Sequence, residues 1–375
     1  MAKAVYVGVG SKARKMKKAY IGIGGKARKV KKMYIGDSSG KARLCYSAEL
    51  EKVGMATALS TTRYDMRAAT VGKYALFAGG YISKSSFGYS VSSSVDAYNT
   101  SLTKSTPTEL SCKRGGHAAA SVGGYALFAG GASSRNWGGN YGDIVSSVDA
   151  YDASLTRSAA HVMGAAVEIG GVAVGNYALF AGGAASMPIN KDNVTSDVLA
   201  YDSSLTFTTA PRLSVARANV KGASAGNYAL FAGGKADSFC TTVDAYNASL
   251  TRTTATALSS AENNSAAATV GNHAIFVGNT ASADIYDASL TKTSAAILST
   301  ARTGLAATTV GDYAIFSGGG VADFCDASLT RSSIGTSMTG YDMGAATIGD
   351  YALFAGGQSG EKSGTAYDSV EVYTA

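Results

Sequence analysis

Apolar positions along most of the chain fall in short runs, and the runs repeat. The string Tyr-Ala-Leu-Phe-Ala-Gly-Gly stands at Tyr74, Tyr125, Tyr177, Tyr228 and Tyr351, with variants at His273 and Tyr313. Successive copies are 51, 52, 51, 45, 40 and 38 residues apart. A second run follows each one, such as VDAYNTSLTK at Val95, VDAYDASLTR at Val148 and a final VEVYTA at Val370. An Ala-, Ser- and Gly-rich stretch precedes each one, such as AATVG at Ala68. Each unit reads as four strands. A small apolar strand 1 is followed by a glycine turn and Tyr-Ala-Leu-Phe-Ala as strand 2. Val-Asp-Ala-Tyr forms strand 3, and an Asx-Ala-Ser turn leads to strand 4, beginning Leu-Thr-Arg. Alternation marks strands 2 and 3. A repeat of 40–50 residues with strand periodicity predicts propeller blades, and the count is seven. Small residues in strand 1 suit the crowded innermost position around an axis.

The seventh unit stops at Ala375, one strand short. Ser47–Ser60 aligns with Asn247–Ser259, Leu50 matching Leu250 and Lys52 matching Arg252. Residues near Leu50–Ala58 are therefore expected to supply the missing strand, closing the ring and removing a sheet edge. The fold class is all-β: a seven-bladed propeller, closed by an N-terminal strand and preceded by a basic hairpin arm. The Gly-Gly after strand 2, the strand-3 tyrosine and the LSTTR, LSCKR, LSVAR and LSTAR stretches ahead of strand 1 make residues 47–375 resemble the kelch family of β-propellers. The usual late tryptophan is absent, and Trp137, the only one, falls in a loop. The likeness therefore implies the architecture and not an adaptor function.

Charge divides the chain in two. The net charge is +7, yet residues 1–46 hold 13 Lys+Arg and one acid, Asp37, leaving 20 and 25 for residues 47–375. An arm at +12 precedes a body at −5, giving two domains, 1–46 and 47–375. The arm repeats internally: Tyr6, Tyr20 and Tyr34 recur every 14 residues, and Lys-Ala-Arg recurs at Lys12, Lys26 and Lys41. Gly10-Ser11, Gly24-Gly25 and Ser39-Gly40 are hairpin turn signals. Runs such as Lys12–Ile23 and Lys26–Asp37 lie between them. Antiparallel pairing of these runs would set Ile23 near Lys26, Lys12 near Asp37, and each Tyr-Ile-Gly against a Lys-Ala-Arg. Docking onto a partner is the favoured use, through Tyr6, Lys12, Arg14, Tyr20, Lys26, Arg28, Tyr34, Lys41 and Arg43. A solvated face comes next and a phosphate-backbone site last. Self-association through the arm is the other expected contact. The YIGxGGKARKVKK repeat resembles those near the N-termini of tail, baseplate and head-fibre proteins of phages infecting Firmicutes, and the likeness covers about 45 residues. It implies a virion protein made in the bacterial host cytoplasm.

In a propeller the 1–2 and 3–4 turns share one face and the 2–3 and 4–1 connections share the other. The arm enters at the 3–4 position of the closing blade, so the 2–3 loops point away from it. From the end of strand 2 to the strand-3 aromatic or cysteine, the distance is 16, 18, 20 and 18 residues in blades 7, 1, 2 and 3, against 12, 7 and 6 in blades 4, 5 and 6. One sector is thus elaborated. Tyr81, Phe87, Tyr89, Arg135, Asn136, Trp137, Asn140 and Tyr141, with Asn190, are the candidate ligand residues there, because aromatic and amide side chains on a rigid scaffold suit recognition.

Catalytic signals are missing. The sequence has no P-loop, HExxH, GxSxG or EF-hand loop. Cys45, Cys112, Cys240 and Cys325 are scattered and read as free thiols. His117 and His273 read as structural, His161 lies near a strand boundary with no evident partner, and neither cofactor nor metal is expected. Recurrence of Asp96, Asp149, Asp244, Asp284 and Asp323 in strand 3 points to a hydrogen bond repeated in each blade. Arg63, Arg114, Arg217 and Arg302 could ring the axis as an anion site, but ties between blades are the better reading. No apolar run approaches the roughly 20 residues of a membrane span, and no apolar stretch follows the N-terminal lysines as a secretory signal would. The expected function is a non-enzymatic virion protein. The arm would anchor it, and the propeller would meet host-surface polysaccharide or protein. A decoration protein without a host ligand is the alternative, and a glycan-active enzyme stands last.

Overall fold

The computed structural model describes residues 6–9, 12–15, 19–23, 26–30, 32–36, 42–47, 49–85, 88–135, 142–161, 164, 166–261, 266–360 and 364–375. Within them the body is seven four-stranded antiparallel sheets. Blade 1 runs outward from the axis as Arg67–Val71, Tyr74–Ala78, Val95–Asn99 and Lys104–Ser105. Blades 2–6 repeat that order, with second strands starting at Tyr125, Tyr177, Tyr228, His273 and Tyr313. Blade 7 is Gly344–Ile348, Tyr351–Ala355 and Val370–Thr374, completed by Glu51–Ala56 from the other end of the body. Val370 pairs with Ala56 and Thr374 with Glu51, with a bulge opposite Val372/Tyr373. The expected closure is therefore present.

The apolar core lies between blades. Ala75 and Phe77 join a cluster with Leu353 and Val370 of blade 7, while Leu76 and Ala78 join one with Ala126 and Phe128 of blade 2. Seven such clusters go round the ring. This explains why the interior of strand 2 is apolar apart from Ser317 in blade 6: it has a neighbour on both faces. Each strand-3 tyrosine packs edge-on against the strand-2 phenylalanine, as in Phe77–Tyr98 at 5.9 Å. In blades 1–5 its hydroxyl reaches the connection leaving the preceding blade, as Tyr98 donates to Thr57 O (2.6 Å), Tyr151 to Thr108 O (2.8 Å) and Tyr246 to Pro211 O (2.8 Å), whereas Tyr373 of blade 7 donates to Glu371 (2.8 Å).

The 3–4 turns lock neighbouring blades at one face. Asp152 Oδ1 accepts the N–H groups of Ser154 and Thr156. This bends the chain so that Leu155 takes a φ of 66°. Leu102, Leu205, Leu250, Leu290 and Leu329 do the same at 59–63°. A left-handed leucine costs about 1–2 kcal/mol, and here each one packs onto an inter-blade cluster. Strand 4 consequently starts two residues later than expected, at Lys104, Arg157, Phe207, Arg252, Lys292 and Arg331, because the leucine belongs to the turn. The adjacent 1–2 turn leaves no room for a side chain: a Cβ on Gly175 would lie 2.7 Å from Ala248 Cβ of the next blade, and one on Gly226 2.5 Å from Ala288 Cβ. In blade 7 the buried Leu50 occupies the corresponding cluster and Ala375 faces Gly311.

Around the axis, small hydroxyl groups join successive first strands. Ser121 Oγ donates to Thr70 O (2.7 Å), Thr70 Oγ1 to Thr347 O (2.9 Å) and Ser224 Oγ to Ala173 O (3.0 Å). Thr347 Oγ1 donates likewise to Thr309 O, and Thr309 Oγ1 to Thr269 O. The Ala/Ser/Thr composition of strand 1 thus supplies both close approach and a polar link.

The arm contains three hairpins: Tyr6–Val9 with Lys12–Lys15, Tyr20–Ile23 with Lys26–Lys29, and Lys32–Gly36 with Ala42–Ser47. Ile23 pairs with Lys26, and Tyr-Ile-Gly faces the following Lys-Ala-Arg, as expected. Lys12, however, pairs with Val9. The tight turn makes the nearest segment the partner, since short loops close at the lowest entropy cost. Asp37 and Lys41 lie outside the described residues, as do the arm's tyrosine–lysine ring contacts.

Leu50→Ala should lower stability by about 2–5 kcal/mol by leaving a cavity in the cluster beside blade 7, and deleting Val370–Ala375 should lower the melting temperature still further by removing the partner of Glu51–Ala56. Thermal denaturation followed by circular dichroism checks this; melting unchanged by either change would contradict the closure.

Candidate functional site

The topology orients the molecule. Glu51 begins the outer strand of blade 7 at the face carrying the 1–2 and 3–4 turns, so the arm joins there. The opposite face carries the 2–3 loops and the 4–1 connections.

Under those loops lies a charged triad, complete in blades 1, 2, 4 and 6. Arg114 is fully buried and donates to Asp149 Oδ2 (2.8 Å), Gly130 O (3.2 Å) and Ser147 O (2.9 Å). Arg157, at the start of strand 4, reaches Asp149 Oδ1 at 2.8 Å. Arg63 pairs in the same way with Asp96, Arg217 with Asp244 and Arg302 with Asp323. The serine of the Leu-Ser-x-x-Arg motif adds its backbone N–H, as Ser60 does to Asp96 and Ser111 to Asp149. The recurring aspartates and arginines are therefore structural ties. In blade 7, Glu371 takes the acid's place and pairs with Lys52.

The long loops build the sector expected from their lengths. In blade 1, Tyr81–Ser85 and Gly88–Val91 form an additional hairpin. It meets the blade-2 loop where Tyr89 N–H donates to Arg135 O at 2.6 Å. The Arg135 guanidinium lies 5.6 Å from the Tyr89 ring centre, a cation–π contact. Tyr89 and Arg135 are half-buried. Tyr81 is only 2% exposed and packs against Tyr64 and Val91. Its ring supports the hairpin and is not available as a ligand contact, correcting its place in the candidate set. The alternation of strand faces at Tyr81 turns it inward, which loop length alone does not reveal. Asn190 is held within the blade-3 loop, its Nδ2 donating to Pro188 O at 3.2 Å. Phe87, Asn136, Trp137, Asn140 and Tyr141 lie outside the described residues. Of the arm's candidates, Tyr6, Lys12 and Arg14 share the first hairpin, Tyr20, Lys26 and Arg28 the second, and Tyr34 and Arg43 the third.

This face carries a second feature at the axis. The first strands of all seven blades surround an axial cavity of about 240 Å³ whose mouth holds Arg67, Glu168, Asn219 and Lys221. Asp65, Glu168, Asn219 and Asp342 each lie two residues before strand 1, with φ of 50–62°. Their backbones link across blades, Asp65 N–H to Asp342 O (2.6 Å) and Asn219 N–H to Glu168 O (2.7 Å). Gly116 and Gly304 hold the same conformation in blades 2 and 6. The sequence signal is a repeat column of Asp, Gly, Glu, Asn, Gly and Asp, mostly residues that tolerate a left-handed backbone. Burial and then the neighbouring Asp65 push the Asp342 carboxyl up to about 6, against the Gln358 amide (2.9 Å), Lys221 and Arg67. Burial and the nearby Arg67 pull Lys221 down. The mouth is a compact mosaic of both charge signs, suited to binding a polar ligand.

The histidines lie elsewhere. His117 is fully buried against Phe128, and burial followed by Arg67 and Arg114 holds it neutral. His161 stacks on Phe207 at 4.4 Å. His273 takes the tyrosine's position at the start of strand 2 in blade 5. Cys112, Cys240 and Cys325 are free thiols, and Cys325 replaces the strand-3 tyrosine in blade 6. Among the described residues no group of three or more His, Cys, Asp or Glu side chains could hold a metal ion.

Asp342 should titrate near pH 6, and Asp65→Asn should move its midpoint down. A carboxyl whose pKa is raised on folding gains protons in the folded state, so its contribution to stability rises as pH falls from above 6 towards about 4. Asp342→Asn should abolish that contribution. Carboxyl-detected NMR titration and melting temperature against pH test both; an Asp342 midpoint below 4.5 would contradict the assignment.

A comparison with protein-family models finds no match for this chain, and neither does a comparison with curated protein sequences.

Proposed function

We propose that the protein is a non-enzymatic recognition protein of a bacteriophage particle. Residues 1–46 anchor it to other virion proteins, and the propeller presents its loop face to the host surface. The observation that carries this reading is polarity: the basic arm joins one face of the ring, and the elaborated loops of neighbouring blades occupy the other. A rigid scaffold with variable loops on one side is the arrangement of a binding module. The phage assignment rests on the likeness of the YIGxGGKARKVKK repeats to virion proteins of phages infecting Firmicutes. The favoured ligand is a host cell-wall polysaccharide, because amide, carboxylate and aromatic groups at the loop face match sugar hydroxyls and ring faces.

Deleting residues 1–45 should leave a folded propeller that no longer joins the particle, and raising salt should weaken assembly of the full chain. Particle composition read by electrophoresis decides; normal incorporation of the truncated chain would refute docking through the arm. Trp137→Ala and Tyr141→Ala should weaken attachment to host cells by about 2 kcal/mol, roughly thirtyfold, with melting temperature unchanged. Unaltered attachment in both variants would instead favour a decoration protein without a host ligand.

A further inference from the structure

Blade 3 departs from the ring in one respect. The positions of the buried arginine, the strand-3 aspartate and the strand-4 cation hold Ala166, Leu199 and Phe207. All three members of the triad are thus neutral and apolar together. The loss of both charge signs at once leaves no stranded ion, which would be costly to bury. It does leave a space. A cavity of about 240 Å³ opens there, lined by Ala166, Phe180, Ala185, Val194 and Leu199, with Asp192 and Asp197 among its polar residues. At roughly 30 Å³ per water, it holds about eight.

The chemistry of the lining is specific. In blades 1, 2 and 4 the arginine donates to the carbonyl after the strand-2 alanine, at Gly79 (3.1 Å), Gly130 (3.2 Å) and Gly233 (2.7 Å). The corresponding carbonyl in blade 3 is that of Gly182, and no side chain among the described residues is seen to take the guanidinium's place. The slot therefore combines an apolar floor with a backbone acceptor. A cation does not suit it, because the partner acid has become Leu199. A neutral group with a methyl and an N–H does. At the rim Asp192 and Asp197 are 77% and 50% exposed. Their pairs with Lys191 and Arg212 are surface pairs that contribute little, so both carboxylates can exchange them for sugar hydroxyls.

We propose that the blade-3 slot binds the acetamido group of an N-acetylated sugar. The methyl group rests on Phe180 and Leu199, the amide N–H meets the Gly182 carbonyl, and the pyranose hydroxyls meet Asp192 and Asp197. The inference rests on the host-polysaccharide reading for its biological setting, but the site is physically separate from the Tyr89–Arg135 patch.

The test uses the full chain with N-acetylglucosamine, N-acetylgalactosamine and N-acetylmannosamine, with glucose and glucosamine as probes lacking the acetyl group. Saturation-transfer NMR should show saturable binding of at least one N-acetylhexosamine, with the acetyl methyl receiving the strongest transfer. Both controls should bind at least tenfold more weakly. Ala166→Leu, which fills the slot with carbon, should abolish binding without lowering the melting temperature. Ala166→Arg combined with Leu199→Asp should abolish it too by restoring the arginine–aspartate pair, and it serves as the plug if Ala166→Leu fails to fold. Absence of binding by all three sugars, equal binding by glucose, or binding that survives a folded plug variant would overturn the proposal. Host attachment separates the two readings. Wild-type attachment to cells without sugar binding defeats the slot alone. Plug-sensitive sugar binding without any cell attachment defeats the host reading alone.

Discussion

The pairing of Glu51–Ala56 with Val370–Thr374 is the contact on which the rest of the structure depends. Each apolar cluster lies between two blades, so no blade has a complete core by itself. An open ring would expose one cluster on each flank of the gap and leave a sheet edge unpaired. Closure through residues from both ends of the body also places Leu50 and Ala375 in the positions that a continuous turn fills in the other six blades.

Most of the polar chemistry serves that same requirement. The tyrosine hydroxyls, the axial serines and threonines, and the Arg–Asp pairs all connect one blade to its neighbour or to the connection between them. The Leu-Ser-x-x-Arg motif is a clear case. Its leucine enters the core, its serine binds the aspartate, and its arginine fills the space beneath the loops. Where the repeat is kept, the residues are explained by the ring. Where it lapses, as at Ala166, Leu199 and Phe207, or at the charged positions around the axial mouth, the ring gives no reason for the change. Apart from Phe207, at the start of strand 4, those lapses gather on the loop face.

The loop face is consequently rigid beneath and variable above. The blade-1 hairpin rests on Tyr64 and Tyr81, and it is joined to the blade-2 loop through Tyr89 and Arg135. The axial mouth draws Asp65, Glu168, Lys221 and Asp342 from four blades. The backbones of Asp65, Glu168 and Asp342 are constrained by blade-to-blade hydrogen bonds, so these carboxyl groups are held before any ligand arrives.

The amino-acid sequence by itself determined the number of blades, the four-strand order and the closing strand, because each of these is written in local periodicity repeated seven times. It also marked the arginines and aspartates as ties, since recurrence at equivalent positions is visible without coordinates. The face to which each loop belongs followed from strand order alone. Only the tertiary structure decided that Tyr81 turns inward and that the leucine of each Asx-Ala-Ser-Leu turn is left-handed. It alone brought Asp65 to Asp342 and opened the slot between Ala166 and Leu199. Asp65 and Asp342 stand 277 positions apart and Ala166 and Leu199 33 apart, and the leucine turn takes its geometry from packing against the next blade. Local patterning records strand periodicity and turns, but not which side chains the folded ring brings together.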